Sequence, residues 1–168
     1  MSDSDKEEEE DYYIYKTRDG IEIVFSSGFN KTIEYLPEDV TIILLNNDYN
    51  QPIDYLPNKV ENIHFGSDFN HPIDNLPNGL KFVQFGAHFN QPINNLPESV
   101  EEIRISQFYN CEIKKLPKSL KVFNVMQMEY KFTDYVNDET IINTEPIDNY
   151  YEIYSGLESL YPNVEFYY

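Results

Sequence analysis

Apolar residues in this chain recur every twenty positions, a period that neither a helix nor a single strand possesses. Val40, Val60, Leu80, Val100 and Leu120 can each be numbered position 1 of a block. Position 4 is then Ile43, Ile63, Val83, Ile103 and Phe123, and position 6 is Leu45, Phe65, Phe85, Ile105 and Val125. Position 10 is Phe29, Tyr49, Phe69, Phe89 and Tyr109. Isoleucine holds position 14 from Ile33 to Ile113, and leucine holds position 17 from Leu36 to Leu116. This spacing suits a coil with one short strand near positions 3–6 and an irregular return. Blocks of this size, in register and without insertions, mark a solenoid whose turns bury their apolar positions against one another. Stacked in parallel at about 4.8 Å, seven rungs including end caps would form a column roughly 30 Å long.

Some polar positions are equally fixed. Asn30, Asn50, Asn70, Asn90 and Asn110 hold position 11. An amide both donates and accepts, so a ladder of them can bond the backbone of a non-helical return. A buried ladder amide left without partners would cost about 1–3 kcal/mol. Proline at position 13 (Pro52, Pro72, Pro92) and position 18 (Pro37 to Pro117) fixes φ, so turns or short 3-10 pieces are expected in the return. Glu34, Asp54, Asp74 and Asn94 stack at position 15, where a side-chain-capped turn fits better than a cation site.

The flanks read differently. Residues 1–11 are almost continuously acidic and are expected to form a disordered tail. Tyr12–Tyr15 and Ile21–Phe25 flank Asp19-Gly20, a tight-turn signal, and predict a hairpin over residues 12–25 that caps the first rung. After Met126 the period fails, and residues 129–147 are expected to be a loop. Tyr150, Ile153, Tyr154, Leu157, Leu160 and Tyr161 then recur at helical spacing before a last strand, Val164–Tyr168. The organisation is thus a tail over residues 1–11 and one solenoid domain over 12–168. Within that domain, 12–25 are the N-terminal cap, 26–128 the five repeats and 129–168 a helix–strand C-terminal cap.

Charge narrows the partners. A net charge of −18 leaves no basic face for nucleic acid or an anionic membrane, although Lys114, Lys115, Lys118 and Lys121 form a local basic cluster. The single cysteine, Cys111, allows no intrachain disulfide. With no apolar run long enough to span a bilayer, the expectation is a soluble intracellular protein, placed in the cytoplasm.

The repeated Phe-Asn-x-Pro-Ile elements, such as Phe69-Asn70-His71-Pro72-Ile73 and Phe89-Asn90-Gln91-Pro92-Ile93, resemble the FNIP repeat, a variant of the leucine-rich repeat. The likeness covers about residues 26–125, closest in the three central copies. It implies a right-handed, leucine-rich-repeat-like solenoid used for protein binding, in a family found mainly in social amoebae and giant DNA viruses. Some members carry an F-box, which implies substrate selection for a ubiquitin ligase. Only about 25 residues precede the first full repeat here, too few for an F-box. The asparagine also falls five residues after position 6, not three as in the commonest leucine-rich pattern.

With positions 4 and 6 inward, positions 3, 5 and 7 are expected to face solvent, and these are the positions that vary. Ile42, Leu44, His64, Phe82, Gln84, Glu102 and Arg104 are the candidate binding residues, toward a protein partner. The alternative is that the apolar members merely favour the strand conformation. No catalytic residue, metal site or cofactor is expected. His64, His71 and His88 fall at positions 5, 12 and 9, without zinc spacing. A β-solenoid hydrolase would need carboxylates close together on one face, and Glu22 and Glu102 lie four turns apart. The competing binding role is a substrate-recognition or decoy module in ubiquitin signalling, by analogy with the F-box members.

Overall fold

The computed structural model describes residues 11–18, 20–106, 108–125 and 141–143. The expected acidic tail and the helix–strand C-terminal cap lie outside these residues, apart from Asp11 and Ile141–Asn143. Strand β1 (Tyr12–Lys16) runs antiparallel to β2 (Ile21–Phe25). Thr17 N–H donates to Gly20 O at 2.9 Å across the turn, where Gly20 takes φ +146°. From β2 onward the sheet is parallel: β3 (Val40–Leu44), β4 (Asn62–His64), β5 (Phe82–Gln84), β6 (Glu102–Ile105), β7 (Val122–Val125) and β8 (Ile141–Asn143). The order in the sheet is the order in the chain, as a solenoid requires. The described residues contain no helix, so none of them forms one long and apolar enough to cross a membrane.

The core is the set of columns that the period defines. Positions 1, 4 and 6 are buried on every described turn from Val40 to Phe123. Position 10 forms a continuous stack: Phe29–Tyr49, Tyr49–Phe69, Phe69–Phe89 and Phe89–Tyr109 ring centroids lie 5.9, 6.3, 6.1 and 6.2 Å apart. Burial drives the Tyr49 phenol well above its ordinary value, and its hydroxyl donates to Pro52 O at 3.3 Å. The return consists of two turns. Position 10 N–H donates to position 7 O, as in Phe89 to Gly86, and position 1 N–H donates to the Leu-Pro proline O, as in Leu80 to Pro77 at 3.0 Å.

The asparagine ladder is present, and its placement corrects the expectation. The Oδ1 of Asn30, Asn50, Asn70 and Asn90 accepts the N–H of Asn50, Asn70, Asn90 and Asn110, at 2.9–3.0 Å. The ladder is not buried: Asn90 is half-buried and the other four are exposed. Water can therefore replace a lost amide, and Asn90→Ala is expected to cost only about 0.5–1.5 kcal/mol, measured by urea unfolding. A loss above about 3 kcal/mol would show that the amide satisfies a group closed to water. Position 12 reinforces the ladder, with Gln91 Nε2 donating to Asn70 O at 3.1 Å.

Three further expectations change. Position 7 is scaffold, not surface. Gly66 and Gly86 are buried there, and a Cβ on Gly86 would lie 1.9 Å from Gly66 O. Asn46, in the same column, donates through Nδ2 to Phe29 O at 2.9 Å. At position 15, Asp54 and Asp74 accept from the side-chain amides of Asn75 and Asn95 one turn on, at 3.3 and 2.8 Å. The link therefore joins turns instead of capping one. Finally, Ile141–Asn143 fall in the segment expected to be a loop, yet they pair as a rung: Val122↔Ile141, Phe123↔Ile142, Asn124↔Asn143. The offset there is nineteen, which hid the rung from a strict period of twenty.

Candidate functional site: the strand face

A strand alternates its side chains, so burying positions 4 and 6 sends positions 3 and 5 to the opposite face. Parallel pairing then stacks equivalent positions into two rows. One row runs Ile42, Asn62, Phe82, Glu102, and the other Leu44, His64, Gln84, Arg104. All seven candidate residues thus lie on one continuous face. Leu44 packs with Val24, and Ile42 and Tyr15 lie against the pair. Phe82 is the centre of a second group. The His64 ring lies 4.8 Å from it, centroid to centroid, and Arg104 Cζ lies 5.2 Å from its centroid, within cation–π range. Arg104 Nε donates to Glu102 Oε1 at 2.8 Å, which fixes the guanidinium.

The face is less open than expected. None of the seven is fully exposed: Leu44 is 6% and Gln84 8% exposed, and the other five are half-buried. Successive members of a row are only about 4.8 Å apart, so neighbouring side chains cover one another. Gln84 stands between His64 and Arg104, its side chain close enough to the imidazole to affect it, although among the described residues no donor meets its buried Oε1 in full hydrogen-bond geometry. Two members of this surface lie outside the seven candidates. Val24 holds position 5 one turn before Leu44, as the repeat places it, and Tyr15 comes from the cap strand, where the hairpin register sets it opposite Glu22; together they complete the apolar end.

Burial lowers the His64 imidazole from 6.5 to about 4; the Arg104 charge adds to this, and the Gln84 side chain acts the other way. At neutral pH His64 is therefore an uncharged partner for Phe82. Its folded value lies below its unfolded one, so the unfolded chain binds the extra proton between pH 4 and 6.5. Stability is complete above about 6.5 and falls as pH drops towards 4. Between pH 7 and 5 the loss from this residue is expected to be about 2 kcal/mol. His64→Gln should flatten that part of a stability–pH curve; an unchanged slope would mean that His64 binds its proton as readily in the folded chain as in the unfolded one.

Elsewhere the chemistry is dispersed. His71 Nε2 meets Asn50 O at 3.0 Å and His88 Nδ1 meets Asp68 Oδ1 at 3.0 Å, on sides of the coil away from His64. Among the described residues no three His, Cys, Asp or Glu side chains gather as a metal site. Burial raises the Cys111 thiol, which disfavours the thiolate. Three of the four clustered lysines form ion pairs, Lys115 with Glu98, Lys121 with Glu101 and Lys114 with Glu112, and the Lys118 backbone N–H donates to Glu98.

The period, the aromatic-Asn ladder and the Leu-Pro turns now have geometry, and the FNIP repeat model matches residues 29–68, 54–88 and 69–108. Residues 29–108 carry FNIP repeats. A solved structure agrees: CroV588, a giant-virus protein described as a novel circular leucine-rich-repeat protein, superposes with a TM-score of 0.57 and 36% identity. The match covers 60% of this chain and 16% of that one, so this chain corresponds to a small part of its length. No curated protein matches the sequence significantly. FNIP and leucine-rich repeats generally serve as protein-interaction scaffolds, which is the class of role that the fold supports.

Proposed function

We propose that this FNIP chain is a non-catalytic module that binds another protein through its strand face. The observation that carries the reading is the contrast between columns. Positions 1, 4, 6, 10 and 14 keep one chemical character through every turn, while the row Leu44, His64, Gln84, Arg104 changes at each step. Packing does not require that variety, so the row is free to match a partner. Its content also suits binding. Aromatic and arginine side chains that are partly desolvated and held in place are typical anchors, and Phe82 and Arg104 are held by His64 and Glu102.

The test is site-specific photocrosslinking. A crosslinking residue replaces Asn62, beside Phe82 on the strand face, or Asn58, which is exposed on the return. A protein captured from Asn62 and not from Asn58, and no longer captured when Phe82→Ala is added, supports the reading. Capture from Asn58 alone, or capture that ignores Phe82→Ala, overturns it.

A further inference from the structure

One column on the return side departs from scaffold duty. At position 16 the chain has Tyr35, Tyr55, Asn75, Asn95 and Lys115. The last three are tied to an earlier turn: Asn75 to Asp54, Asn95 to Asp74 and Lys115 to Glu98. Among the described residues, the first two are not. Tyr35 is 88% and Tyr55 78% exposed, whereas the aromatics of positions 6 and 10 are all buried. Two rigid rings on consecutive turns thus stand in solvent with no packing role. The carboxylate before each differs as well. Asp54 accepts from Asn75, whereas the residue in the corresponding place one turn after Glu34 is Tyr55, which has no amide to donate, and no partner of Glu34 is seen among the described residues. Glu38 and Asp39 are exposed in the turn that follows Tyr35.

We propose that Tyr35 and Tyr55 form a second interaction surface, separate from the strand face, for a basic segment of another protein. The occupant follows from charge and ring chemistry. Tyrosine faces attract guanidinium and ammonium groups, and their amphipathic rings lose little entropy on contact. Glu34 and Asp54, adjacent in sequence to the rings, supply the counter-charge, within a chain of net charge −18. An arginine would lie over a ring while its donors reach the neighbouring carboxylate. Lys114, Lys115 and Lys118 occupy the corresponding positions of the return four turns on from Tyr35, which confines the acidic, aromatic surface to the first two turns.

The probe is a capped hexapeptide of alternating arginine and serine, titrated by calorimetry at 150 mM salt. Tyr35→Ala/Tyr55→Ala removes both rings without changing charge, and the exposure of both residues leaves the fold intact, checked by thermal melting. The double variant should weaken binding roughly tenfold, as expected for two cation–π contacts. Glu34→Gln/Asp54→Asn should weaken it and reduce its salt dependence, while Phe82→Ala should leave it unchanged. Failure of the wild-type chain to bind the peptide overturns the proposal. So does equal binding by the tyrosine variant, which would assign the affinity to net charge alone. Loss on Phe82→Ala with retention in the tyrosine variant would place the peptide on the strand face, and again overturns it.

Discussion

Replacing Phe89 with alanine is expected to lower stability by about 3–5 kcal/mol, the largest effect of any single change described for this chain. The ring is fully buried. It meets Phe85 at 4.0 Å within its own turn, Phe69 at 6.1 Å on the turn before and Tyr109 at 6.2 Å on the turn after, measured between centroids. Alanine would open a cavity that spans three turns. The lining cannot collapse into it, because the backbone spacing on either side is held by the sheet and by the asparagine ladder. Removal of the three ring–ring interactions adds to the transfer and cavity costs. Urea unfolding monitored by far-ultraviolet circular dichroism would measure the destabilisation. A cost under about 1 kcal/mol would mean that the position 10 stack is not the core of the column.

Gly86→Ala is expected to be nearly as damaging although it adds one methyl group. The new Cβ would meet Gly66 O at 1.9 Å and Gly66 C at 2.5 Å. Both are backbone atoms, so no side chain can rotate away, and the turns themselves would have to part. The cost is expected to be about 3 kcal/mol, and the melting temperature to fall by roughly 6–12 °C. Gly79→Ala is the control, since a Cβ there meets only Asn58 O, at an ordinary 3.6 Å. If the two variants melt together, the close approach of turns at position 7 is not real.

The contrast between these two sites shows what could be read from the sequence. Phe89 was legible because burial of a large apolar residue at a fixed period has one reading. So were the parallel register, the hairpin at Asp19-Gly20 and the return free of helix. Absence of insertions made the neighbour of any residue the one twenty positions away, which is how Phe82 and Glu102 could be placed side by side. Gly86 was not legible. Strand alternation sent position 7 outward, but the chain has already left the strand there, and a turn of the backbone brings adjacent coils together. The asparagine ladder was legible as a set of bonds and misplaced in depth, because an amide bonds the next turn equally well at an exposed edge. The candidate site was legible as two rows and not as a packed group. Its diagonal interactions, from Phe82 to His64 and to Arg104, depend on side-chain reach across a row, which a repeat period does not encode.

The constant offset of twenty holds from β3 through β7, and it shortens by one residue at β8. A chain built this way keeps time like a ruler with equal divisions. Deleting one residue between β4 and β5 would have to be absorbed by the single return that joins them, as the nineteen-residue offset at β8 is, whereas inserting a complete block of twenty would leave every junction at twenty. Such a protein can lengthen or shorten by whole blocks and acquire new letters on its strand face with each addition. Among the described rungs, single-residue drift sits at the two ends of the run, at the irregularity between β2 and β3 and at β8.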